Sequence, residues 1–151
     1  MVVGAYMRTQ ILTLVIIIAT GCSGRNRPIE FVVPDGYRGK VWILFDPIAP
    51  DLPVVNGRYQ ASFPSDGVLR VGSMRPFQQW HPSSARYANG TPLHADLLSD
   101  SSQVASDAIG MWAGPSSSTW PDKHDYIVWV VGTESDFKAV GIDEFAPPKP
   151  R

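Results

Sequence analysis

Arg58-Tyr59-Gln60-Ala61-Ser62-Phe63-Pro64-Ser65-Asp66-Gly67-Val68-Leu69-Arg70-Val71 is the stretch that decides the fold class. Its first six residues alternate. Tyr59, Ala61 and Phe63 fall on one side of an extended chain, and Arg58, Gln60 and Ser62 on the other. A period of two marks a half-buried strand. Pro64-Ser65-Asp66-Gly67 is then a short connection with glycine near its end, where positive φ is needed. Val68 to Val71 reads as the return strand, so the expectation over 58–71 is a β-hairpin.

Upstream, Val41-Trp42-Ile43-Leu44-Phe45 is apolar at every position and reads as a strand buried on both faces. Asp46-Pro47 ends it, and Pro50, Pro53 and Asn56-Gly57 mark a loop. Earlier still, Phe31-Val32-Val33 is a short apolar run closed by the turn signal Pro34-Asp35-Gly36. Downstream, residues 126–131 form a second run apolar on both faces, ended by Gly132.

Residues 74–125 are divided by Pro76, Pro82, Pro92, Pro115 and Pro121. Within them, 101–109 fits one short helix as well as it fits a loop. Val104, Ala105 and Ala108 share a face, Ser101 or Ser102 would cap it, and Gly110 would end it. The 13 glycines and 14 prolines interrupt the chain too often for long helices. The expected fold is therefore mainly β: a small antiparallel β-sandwich over residues 31–145, with the 101–109 helix as an option and 146–151 as an extended tail.

The N-terminus has a different character. Arg8 is the only charge in residues 1–10, and residues 11–19 are apolar except for Thr13. Ala19-Thr20-Gly21 and then Cys22 follow. That is the order of a secretory signal. The apolar run is roughly half of the about 20 residues needed to span a bilayer core, so a transmembrane anchor is the poorer reading. Ile18-Ala19-Thr20-Gly21-Cys22 resembles a bacterial lipobox. The resemblance implies that residues 1–21 are a signal peptide, and that Cys22 is lipidated, palmitate among its acyl chains, and begins the mature protein. Cys22 is the only cysteine of the chain. Residues 22–30 then form a polar, turn-rich tether. In a Gram-negative host Ser23, where an Asp would retain a lipoprotein at the inner membrane, implies the outer membrane.

Two further stretches carry a resemblance: residues 31–41, and Gly57-Arg58-Tyr59 through Leu69, together with Val131-Gly132-Thr133-Glu134. They resemble a family of small bacterial envelope proteins known only as a domain of unknown function. The second stretch is also similar to the strand-turn-strand of prealbumin-like sandwiches, such as carboxypeptidase regulatory domains. The resemblance implies a fold and no activity.

Signs of catalysis are few. His81, His94 and His124 have no spacing that would set two of them on one metal ion. Ser73 follows a strand without the second glycine of a nucleophile elbow. Asp122 and Asp125 flank Lys123-His124 without marking a cleft. There is no phosphate-binding glycine loop, so no cofactor is expected, and the scattered charges (net −1) offer no stripe for nucleic acid. Of the five tryptophans, Trp42 and Trp129 lie in strands and read as core. Trp80, Trp112 and Trp120 either cover the sandwich or form a ligand surface.

The sequence thus points to a lipid-anchored envelope protein whose domain binds a protein or a wall polymer rather than catalysing a reaction. Two alternatives stay open: an envelope hydrolase using residues of 74–125, and an accessory or immunity-like partner protein.

Overall fold

The computed structural model describes residues 27–78, 80–94, 105, 107–114, 126–141, 145–146 and 148. These form nine strands in two facing sheets: β1 (Ile29–Val33), β2 (Gly39–Phe45), β3 (Val54–Val55), β4 (Arg58–Ser62), β5 (Val68–Val71), β6 (Ser83–Tyr87), β7 (Pro92–Leu93), β8 (Gly110–Ala113) and β9 (Tyr126–Gly132). A 3-10 turn, Arg75–Phe77, and one helix, α1 (Glu134–Ala139), complete the elements. The first sheet runs β3-β4-β1-β6-β7 and the second β5-β2-β9-β8.

The mainly β sandwich is the fold that the strand pattern implies. The pairing is mixed, however, where an antiparallel one was expected. β1 lies parallel to both β4 and β6, and β2 lies parallel to β5. The pairs β2–β9, β8–β9, β3–β4 and β6–β7 are antiparallel.

The hairpin expected over 58–71 is not formed. β4 belongs to the first sheet and β5 to the second, so Pro64-Ser65-Asp66-Gly67 is an arch between sheets. The faces of the two sheets explain why. The outer face of the first sheet is polar: Glu30 pairs with Arg86 at 3.1 Å, and Gln60 donates to Ser62 at 3.2 Å. The outer face of the second sheet is apolar, and Val68 packs there with Trp42, Leu44, Tyr126, Val128 and Val130. Had β5 paired with β4, Val68 would have stood among polar groups in water. The true hairpin lies one strand earlier. Val55 faces Arg58 across Asn56-Gly57, whose φ values of 50° and 76° are both positive, as a two-residue type I′ turn requires.

The core lies between the sheets. Ile29, Phe31, Val33, Ala61, Phe63, Ala85 and Tyr87 face Val41, Ile43, Val71, Met111, Trp129 and Val131, all buried. Phe31 is its centre, with ring centroids 6.4 Å from Phe63 and 4.9 Å from Trp129. β2 and β9 are buried on both faces, as their unbroken apolar runs predict. The outer cover is α1 with the segment behind it: Phe137, Val140 and Phe145 pack on the outer cluster. Thr133 caps α1, its hydroxyl accepting from Asp136 N while the Asp136 carboxylate accepts from Thr133 N.

Of the 101–109 segment, Ala105 and Asp107 to Ile109 are described, and they are a turn and irregular chain rather than helix; the rest lies outside the described residues. Gly110 opens β8 instead of ending a helix. His94, at the end of β7, bridges to Gly110 and so ties the two sheets along one side.

Candidate functional site

The strand directions give the sandwich two distinct ends. β1, β4 and β6 start together, since Ile29 is level with both Tyr59 and Ser83. The chain enters there: Tyr59 N donates to Pro28 O at 2.9 Å, and Ile29 N donates to Pro82 O at 3.0 Å. The β3–β4 turn and the Trp80-His81-Pro82 segment are at this entry end too. β2 and β5 finish at it. Their trailing loop, residues 46–53, is held by Asp46 N to Val71 O at 3.0 Å and by Gly72 N to Pro50 O at 3.0 Å. Leu52 anchors the loop in the core.

A cavity of about 420 Å³ opens at this end, lined by Arg27, Asp51, Leu52, Tyr59, Ser73 and Arg75 among others. The Arg27 guanidinium lies over the Tyr59 ring, 5.9 Å from its centroid. Ser73 Oγ accepts from Arg75 N at 3.2 Å, which fixes the start of the 3-10 turn. Among the described residues no carboxylate forms an ion pair with Arg27, Arg58 or Arg75, whereas Arg38, Arg70 and Arg86 each have one. Two guanidinium groups, a hydroxyl and one carboxylate suit an anionic group better than a cation. A histidine base beside Ser73 would be needed for acyl-transfer chemistry, and none is among these lining residues.

The same end carries the exposed apolar side chains. Trp80 is 77% exposed and Ile48 92%, with Val54 and Val55 also exposed. Trp80 lies just before β6, Val54 and Val55 form β3, and Ile48 is on the loop that brings Asp51 to the cavity.

The residues singled out from sequence are dispersed. Trp112 sits on β8, donates its indole N–H to Gly132 O at 2.9 Å, and stacks on Phe137 at 6.2 Å. It thus helps to hold α1 on the second sheet, far from the segment of Trp80. Trp42 and Trp129 are core, one on each face of the second sheet. His81 meets the Phe77 ring edge at 6.2 Å, and His94 forms the bridge between the sheets. Cys22, Trp120, His124, Asp122 and Asp125 lie outside the described residues. No group of three or more metal-ligating side chains occurs among the described residues. The loops that supply Arg27, Asp51, Ser73 and Arg75 have no motif spacing in common.

A second hollow of about 340 Å³ lies beside α1, at the start of β2, with Arg38, Lys40, Val130, Asp136 and Val140 on its walls. Arg38 reaches Asp136 across it at 3.2 Å.

No family model matches the chain, and no curated protein matches it. A solved structure from Bacillus anthracis, assigned provisionally as a lipoprotein, is similar to this chain over 84% of each, with 14% identity and a TM-score of 0.47.

Proposed function

We propose that this protein is a lipoprotein of the bacterial cell envelope, anchored through Cys22, whose sandwich is a binding or structural module rather than an enzyme. The observation that carries the reading is the placement of Cys22. It follows a short apolar run and small residues, and it stands five positions before Arg27, where the chain enters the fold. A cysteine there leaves room for a lipid and a tether without disturbing a strand. The cysteine-free domain takes its stability from packing, as the core of Phe31, Trp129 and their neighbours allows. In a Gram-negative host, Ser23 favours the outer membrane over the inner.

Mass spectrometry of the N-terminal peptide from membrane-purified protein tests the anchor. The expected result is an acylated Cys22 at the N-terminus, and loss of processing in Cys22→Ala. An unmodified Cys22 in a full-length chain overturns it. Crosslinking in intact membranes tests the module: recovery of a defined protein or wall polymer supports binding, and recovery of none removes its support.

A further inference from the structure

We infer that the entry end of the sandwich is a bilayer-docking surface, on which Trp80 enters the interfacial zone while Arg27, Arg58 and Arg75 meet anionic lipid headgroups. The inference rests on the anchored reading of Cys22 and deepens it: the domain would lie on the membrane in one orientation rather than swing above it.

Three independent features coincide at this end. The first is apolar exposure. Among the described residues, the four exposed large apolar side chains are Ile48, Val54, Val55 and Trp80. All four belong to loops or strand ends of the entry end; Val55, opposite Arg58 at the tip of β3, is the one on the outward side of the first sheet. Isolated exposed apolar residues are ordinary, but their confinement to one end of a molecule marks an interaction surface. Tryptophan is the side chain best suited to the water–lipid boundary, because its ring is apolar and its N–H is polar.

The second feature is charge. Arg27, Arg58 and Arg75 are exposed, and no described carboxylate pairs with any of them. Arg27 and Arg75 both line the cavity, together with Ser73. Guanidinium groups bind phosphate in a forked geometry. Asp51 at the same cavity limits the excess positive charge, so attraction to an anionic surface should be moderate and sensitive to salt.

The third feature is reach. Arg27 is five positions along the chain from Cys22. An extended chain spans at most ~3.6 Å per residue, which keeps this end within about 18 Å of the lipidated cysteine. A tether this short raises the local concentration of lipid so far that a weak surface suffices for docking. Basic residues and an interfacial aromatic beside a lipid anchor supply the second signal that stable, oriented membrane attachment uses.

The test uses membrane-purified chain reconstituted into phosphatidylcholine vesicles, with or without phosphatidylglycerol, that contain lipids brominated near the headgroup. Tryptophan quenching is compared between the wild type and Trp80→Phe. The expected result is clear quenching of the wild type in phosphatidylglycerol vesicles, reduced at least about twofold in Trp80→Phe. Arg27→Gln/Arg58→Gln/Arg75→Gln should lower quenching in anionic vesicles only, and raising ionic strength from about 0.1 M to 1 M should do the same as the screening length shrinks from ~10 Å to ~3 Å. Equal quenching of wild type and Trp80→Phe overturns the inference. So does Trp80 emission that is blue-shifted but unquenched, since that places a second protein on the indole. The mass of the N-terminal peptide reads the anchor separately. A chain held by lipid and a chain held by an uncleaved apolar segment both present the domain at the bilayer, so the Trp80 comparison is informative whichever is found.

Discussion

Gly67 and Tyr37 meet where the chain crosses from one sheet to the other. Gly67 has a φ of +74°, and a Cβ on it would run into the Tyr37 hydroxyl and lie 2.9 Å from Lys40 O. Tyr37 Oη donates to that same carbonyl at 2.6 Å, so the arch is latched to the start of β2. Gly67→Ala would combine backbone strain with overpacking. The expected loss is about 2–4 kcal/mol, read as a lower urea midpoint with an unchanged slope.

Tyr37 also sets an alkaline limit. Its burial, and secondarily the negative charge of Asp66, raises its pKa above the ordinary 10.0. The neutral phenol is therefore favoured by folding. That stabilisation is complete below pH about 10 and is lost as pH rises through the higher folded value. Thermal melts of Tyr37→Phe should show a flatter decline in this alkaline range than the wild type. Parallel curves would contradict the prediction.

At the other side of the second sheet, Asp136 is the acid-sensitive group. The Thr133 backbone N–H, then the Thr133 hydroxyl, and less strongly Arg38, hold its carboxyl below the ordinary 3.8. The ionised form thus favours the folded state above that value, and its contribution fades as pH falls through the lower folded value. Amide protection factors in residues 134–139, taken relative to intrinsic exchange at each pH, should fall on acidification in the wild type. In Asp136→Asn they should already be lower at neutral pH and nearly insensitive to this step.

Phe31 joins the two sheets through Phe63 and Trp129 and is 1% exposed. Phe31→Ala should cost about 3–5 kcal/mol, because the sheets cannot both close on the space left between them. Equilibrium unfolding measures this. Glu30→Gln on the neighbouring outward-facing position breaks only a half-exposed ion pair with Arg86 and should cost about 1 kcal/mol or less.

The parts of this fold that are legible in the sequence are those whose side-chain pattern depends on one face at a time. The alternation of Tyr59, Ala61 and Phe63 picks out the core face of β4, and the unbroken runs of β2 and β9 mark strands covered on both sides. Which strand pairs with which is a different matter. Pro64-Ser65-Asp66-Gly67 resembles a hairpin turn locally, but Val68, on the outer side of β5, packs with the apolar cluster of the covered sheet. Asn56-Gly57, a stronger hairpin signal, is easily passed over because β3 is only two residues long. Helix α1 was signalled by Thr133 and Asp136 at capping-box spacing, yet six residues are too few to show a helical period. The entry-end cavity left no trace at all, since its residues come from separate loops that only the mixed topology gathers.

That topology also orders the events of folding. β1 and β2 are both interior strands, one in each sheet, and are synthesised before the other strands. Each must wait for partners made later: β1 for β4 and β6, β2 for β5 and finally β9. A chain cut before Tyr126 would lack β9, leaving one edge of β2 open and β8 without its partner strand. Contacts so distant along the chain make folding slow and leave sticky intermediates. The last long strand to emerge is the one that turns a set of exposed ribbons into a single cooperative unit.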